Sequence, residues 1–122
     1  MIKLGIETNL DEILRDLVEK FNKKVEESKD LKKQLQGFNR RILLKLDSDG
    51  LYYAEIKDGK FEEFKKIEKE IDTDIKIETT RDVFLQLISQ QLSPLVAYVN
   101  GLVKIKAPLK DLLMVKDLLG GV

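Results

Sequence analysis

From Leu10 onward, apolar residues recur three and four positions apart, at Ile13, Leu14, Leu17, Val18, Phe21 and Val25. That spacing predicts a long amphipathic helix with one face turned to a core. Asn9 and Glu12 stand where a capping pair would open it. Lys23-Lys24-Val25-Glu26-Glu27-Ser28 sets opposite charges near helical spacing, and Leu31 and Leu35 resume the stripe on a shifted face. The pattern therefore predicts a break or a second helix near Ser28 to Asp30, with Gly37 ending a helical region over 10–36.

The period then changes to two. Ile42, Leu44 and Leu46 alternate with Arg41, Leu43 and Lys45, and Tyr52, Ala54 and Ile56 alternate with Tyr53, Glu55 and Lys57. Both runs read as strands. Asp49-Gly50 and Asp58-Gly59 suit tight hairpin loops, because glycine accepts positive φ without steric cost, so the region predicts an antiparallel meander. Phe61 to Ile71 reads as a strand followed by an irregular segment, and Ile75 with Ile77 as a short further strand.

Thr79 or Thr80 can cap the next helix, whose apolar stripe is Val83, Phe84, Leu87, Ile88 and Leu92. Ser93 caps another and Pro94 takes its first position, where a missing N–H costs nothing; the helix runs through Tyr98 and Val99 until Asn100-Gly101 stops it. Leu102 to Lys106 alternates as a strand, with Val103 and Ile105 on one face and Lys104 and Lys106 on the other. Pro108 is expected to open the last helix, which is apolar over most of its circumference; Lys110, Asp111, Lys116 and Asp117 mark a narrow wet side. A helix of that kind is buried, dimerised or lining a cavity. The chain as a whole predicts an α+β fold, helices against one antiparallel or mixed sheet, in a single domain over 1–122.

Composition narrows the function. Lys plus Arg and Asp plus Glu both number 22 and are interleaved, so no net field would attract nucleic acid, an anionic membrane or a polyanionic substrate. Histidine and cysteine are both missing, which removes the commonest general base, the commonest metal ligand and the thiol nucleophile. The lack of cysteine fits an intracellular protein. Met1 to Glu7 shows no signal-like apolar stretch, and no apolar run reaches the roughly 18 residues that span a bilayer. A soluble cytoplasmic protein without integral membrane association is the expectation. The 36% charged fraction, rich in Lys and Glu, is thermophile-like in composition and equally suits a well-solvated mesophilic surface.

Candidate motifs have plainer readings. Asp47-Ser48-Asp49-Gly50 has its glycine in the fourth place where a calcium loop needs it in the sixth, and reads as a turn. Glu62-Glu63, Asp72 and Asp74 lie in solvated, charged sequence. Ser28, Ser48, Ser89 and Ser93 occupy no nucleophile elbow, and the glycines form no phosphate loop. No catalytic residue, metal or cofactor is expected, and binding takes precedence over chemistry.

The run from Leu92 through Pro94, Tyr98, Gly101 and Lys104-Ile105-Lys106 to Leu113 resembles the sterol carrier protein (SCP-2-type) lipid-binding domain. Tyr52-Tyr53, Ile56 to Gly59, the Ile75 to Ile77 strand, the Thr80 to Leu87 helix and the closing helix follow that family in order, so the likeness covers about Leu10 to Leu119. Gln90-Gln91 and Ala107-Pro108 depart from it, where the family tends to carry glycine and Gly-Asp. The resemblance implies a five-stranded, mostly antiparallel sheet packed against helices around a hydrophobic tunnel. It also implies a ligand lining from Phe84, Leu87, Ile88 and Leu92, from Leu95, Tyr98 and Val99, and from Leu112, Leu113, Val115 and Leu119. The ligand expected is a fatty acid, acyl-CoA, sterol or similar lipid, held non-enzymatically for transfer or storage; Arg81, Lys104 or Lys106 could meet a charged head at the mouth, but the expectation for each is a solvated-surface role. The alternative is a ligand-free interaction module whose apolar C-terminal helix meets a partner protein or a second copy in a homodimer.

Overall fold

The computed structural model describes residues 10–120, so Asn9, the opening segment and the last two residues lie outside the described residues. Helix α1 (Leu10–Glu27) buries the whole predicted stripe except Ile13, which is half-buried. The predicted break falls at Ser28. Its extended backbone interrupts α1, and its hydroxyl accepts the Leu31 N–H at 3.2 Å to cap α2 (Lys29–Gln34).

Strands β1 (Arg40–Asp47) and β2 (Gly50–Lys57) form an antiparallel hairpin. Its turn differs from expectation. Leu46 pairs with Gly50, so the loop is Asp47-Ser48-Asp49, Ser48 takes the positive φ of 71°, and Gly50 already belongs to β2. The second turn has the expected form: Lys57 pairs with Lys60, and Asp58 and Gly59 both adopt positive φ, as a two-residue hairpin loop requires. A Cβ on Gly59 would lie 2.6 Å from the Leu35 carbonyl oxygen, so this glycine also lets the end of α2 rest on the hairpin.

Two short strands, β3 (Lys60–Phe61) and β4 (Lys65–Ile67), share the outer edge of β2 at opposite ends. The described sheet therefore has six strands in five positions, the strand expected from Phe61 being split in two. Asn22 closes this edge: its amide donates to the Phe61 carbonyl at 3.0 Å and accepts the Phe61 N–H at 2.9 Å. Strand β5 (Ile75–Thr80) runs parallel to β1, and all other pairings are antiparallel.

Thr80 caps α3 (Arg81–Ile88) and Ser93 caps α4 (Pro94–Val99), both through their hydroxyls. Strand β6 (Lys104–Lys106) is shorter than predicted. The Leu102 carbonyl accepts the Thr79 hydroxyl at 2.8 Å and the Leu102 N–H donates to Ala97, which removes Leu102 from the ladder. Pro108 starts a 3₁₀ turn (Leu109–Asp111) rather than the helix itself, and α5 follows over Leu112–Leu119.

Side chains from α1, α3, α4 and α5 join those of β1, β2 and β5 in one core on a single face of the open sheet. The predicted wet side of the last helix needs one correction. Asp111 is 1% exposed, because the Arg40 guanidinium reaches it with two hydrogen bonds, at 2.6 and 3.2 Å. A buried carboxylate is tolerable only with such pairing.

Candidate functional site

Helix α4 is six residues long and buries only Ala97. Its remaining apolar side chains therefore point sideways and outward, and α5 runs alongside. Between them lies an apolar groove of about 190 Å³, lined by Pro94, Leu95 and Tyr98 of α4, Ile105 of β6, and Leu112, Leu113 and Lys116 of α5. The groove is open to solvent, since Leu95 is 62% and Leu113 72% exposed. Lys116 supplies the single charge in the lining, and among the described residues no ion pair engages it.

The residues named from the sequence divide into layers. Leu95, Tyr98, Leu112 and Leu113 line the groove. Phe84, Leu87, Val115 and Leu119 are almost wholly buried in the core behind it, and Ile88 and Leu92 are half-buried against that core. Val99 is 73% exposed and lies outside the lining. Pro94, Ile105 and Lys116 were not among the expected lining. The signal for Ile105 was present in the strand alternation, which puts it opposite Ile77 on the core face.

The cations considered for a charged head sit away from the groove, as a surface role requires. Arg81 pairs with Asp49 at 3.3 Å. Lys104 and Lys106 alternate with Ile105, so they project from the far face of the sheet, with Glu78 opposite Lys104 and Lys76 opposite Lys106. On that face Glu70 bridges Lys45 and Lys76, and these bonds hold its carboxyl below the usual carboxylate range. Among the described residues no acidic cluster could hold a metal ion, and no helix is long and apolar enough to cross a membrane.

The SCP-2 sterol transfer family matches this sequence over residues 18–120, which takes in every element that builds the groove. The chain belongs to that family. No curated protein sequence matches it. Solved structures share the fold at low identity. A crystal structure of sterol carrier protein 2 is 18% identical with a TM-score of 0.61, covering 89% of this chain and 92% of that one. Sterol carrier protein 2 from Yarrowia lipolytica, in its apo form, is 15% identical with a TM-score of 0.58, covering 98% and 97%. The stereoselective inverting sec-alkylsulfatase Pisa1 from Pseudomonas sp. contains a similar unit, 14% identical with a TM-score of 0.70; 95% of this chain matches only 17% of that enzyme. The mixed helix-and-sheet architecture of the SCP-2 fold is thus the architecture of this protein, with an open rather than a closed sheet.

Proposed function

We propose that the protein binds an acyl chain or a comparably slender apolar molecule, without chemical conversion, in the groove between α4, β6 and α5. The observation that carries this reading is the lining itself: six uncharged side chains and one lysine, open to the surface. Membership in a sterol transfer family supports lipid binding or transfer as the general role. A volume of about 190 Å³ exceeds the roughly 150 Å³ of a cavity known to hold benzene, but falls short of the ~300 Å³ at which whole-ligand sites begin. The groove as it stands takes the end of a chain. Phe84, Leu87, Ile88, Leu92, Val115 and Leu119 lie deeper, and they line the path of a longer ligand once α4 and α5 part. Each methylene buried contributes about 0.8 kcal/mol before ordering costs. Lys116, the one charge in the lining, is available to a carboxylate or phosphate head.

Leu113→Asp tests this directly, because the side chain is 72% exposed and its replacement disturbs no core contact. The variant is expected to keep the wild-type melting temperature and to lose uptake of a fluorescent fatty acid by at least tenfold. Normal uptake by the folded variant would remove the groove from the reading. Native mass spectrometry of the purified wild type is expected to reveal a lipid released on denaturation; a bare chain that also refuses added fatty acid would refute lipid binding.

A further inference from the structure

Three Asx-Gly pairs stand among the described residues, at Asp49-Gly50, Asp58-Gly59 and Asn100-Gly101. Glycine carries no Cβ to shield its peptide nitrogen, so that nitrogen can attack the side-chain carbonyl carbon of the residue before it and close a five-membered ring. What holds each side chain separates the three. Asp49 is paired with Arg81 at 3.3 Å, and Asp58 accepts the Gly37 N–H at 2.6 Å. Both are also carboxylates, poor electrophiles at neutral pH. The Asn100 amide is a better electrophile, and among the described residues no hydrogen bond engages it. Asn22 and Asn39, by contrast, each use their amides twice, and neither precedes a glycine.

Asn100 and Gly101 are both exposed, and a Cβ on Gly101 would meet nothing within 4 Å, so no side chain crowds the ring. The folded conformation delays the attack nonetheless. Asn100 has a ψ of 3°, which sets the Gly101 nitrogen beside the Asn100 nitrogen rather than beside its Cβ. The Gly101 N–H is also committed, donating to the Tyr98 carbonyl at 3.1 Å. Ring closure therefore waits for the last turn of α4 to open. That opening is frequent, because α4 has six residues and buries Ala97 alone.

We propose that Asn100 is a site of spontaneous deamidation whose rate is set by the opening of α4. The Gly101 nitrogen, losing its proton to hydroxide, bonds to the Asn100 Cγ, and the side-chain nitrogen leaves as ammonia. Water then opens the succinimide at either carbonyl, giving aspartate or isoaspartate. Either product adds a negative charge at the carbonyl end of α4, where it is unfavourable. Isoaspartate also lengthens the main chain by a methylene. The bonds from Gly101 to Tyr98 and from Leu102 to Ala97 then lose their register. Leu95 and Tyr98 belong to the groove, so an aged chain has a looser groove wall. The deamidation itself holds whether or not the groove takes a lipid.

The test incubates the purified full chain in mildly alkaline buffer at body temperature and follows its tryptic peptides by mass spectrometry. Asn100 is expected to gain the mass of amide-to-acid exchange as two chromatographically separate products, isoaspartate in excess, while Asn22 and Asn39 stay intact. Ser93→Ala, which removes the cap of α4, is expected to speed the conversion roughly threefold. Hydrogen exchange over α4 is expected to be faster in the aged chain than in the fresh one. The proposal is overturned by an intact Asn100 after weeks, by reaction at Asn39 as fast as at Asn100, or by aspartate as the sole product, which would mean direct hydrolysis without the ring. An unchanged rate in Ser93→Ala would remove α4 as the gate, and equal exchange in fresh and aged chains would remove the loosening of the groove wall.

Discussion

Asp111 brings a full negative charge to a position 1% exposed, and Arg40 meets it with Nε and Nη2 while its guanidinium stacks 4.2 Å over the Phe38 ring. The Asp111 carboxylate keeps the Arg40 pKa above its usual value. Such a pair adds little compared with an apolar replacement, but removing one partner strands the other. Arg40→Ala is therefore expected to destabilise the protein by about 3–5 kcal/mol, read as a lowered urea midpoint. A loss under about 1 kcal/mol would mean that water reaches Asp111 from outside. Nothing in the helical pattern announced this pairing, because the partners lie 71 positions apart and Asp111 sits beside Lys110 in a sequence that looks solvated. Leu43 is the same kind of case. It falls on the polar side of the alternation yet is 0% exposed, between Tyr53 and Lys76 in the register.

Among elements, those decided locally were the legible ones. The breaks at Ser28, Thr80 and Ser93 rest on a hydroxyl three residues from the N–H it accepts, and the Asp58-Gly59 turn rests on two adjacent backbone conformations. Elements that depend on distant partners were not: β6 lost Leu102 to the Thr79 hydroxyl, and the outer edge strand divided where Phe61 met Asn22. The connection between β4 and β5 was rightly read as irregular, and Glu70 ties it to the sheet through Lys45 and Lys76. The Glu70 carboxyl, bonded chiefly by Lys76, titrates below its ordinary 4.5. A depressed folded-state value stabilises the fold above the unfolded-state value, and that contribution is lost as pH falls through the folded one. The melting temperature of wild type should thus exceed that of Glu70→Gln at pH 7, with the gap closing below pH 4.5. A gap that persists unchanged in acid would assign the difference to packing.

At the scale of the whole molecule, the lining was legible as a set of helices and not as a depth. Helical stripes show which residues are apolar, but Leu113 at 72% exposure and Val115 at 0% look alike in sequence. The structure also grades stability across the fold. β1 is paired on both sides, whereas α4 keeps only Ala97 in the core. Amide hydrogens of α4 should exchange about 100-fold faster than those of β1, and a bound fatty acid should slow α4 first. Uniform exchange across both would show instead that α4 opens only with the whole fold. The parallel β1–β5 pair has a separate implication for how the chain is made. Ile42 must wait for Ile75, so during synthesis the β1–β2 hairpin leaves the ribosome with one edge bare. Loop closure over that distance delays the central pairing. The nascent chain is therefore most prone to aggregate between the emergence of β2 and that of β5, and a chaperone acting on this protein would find its substrate there.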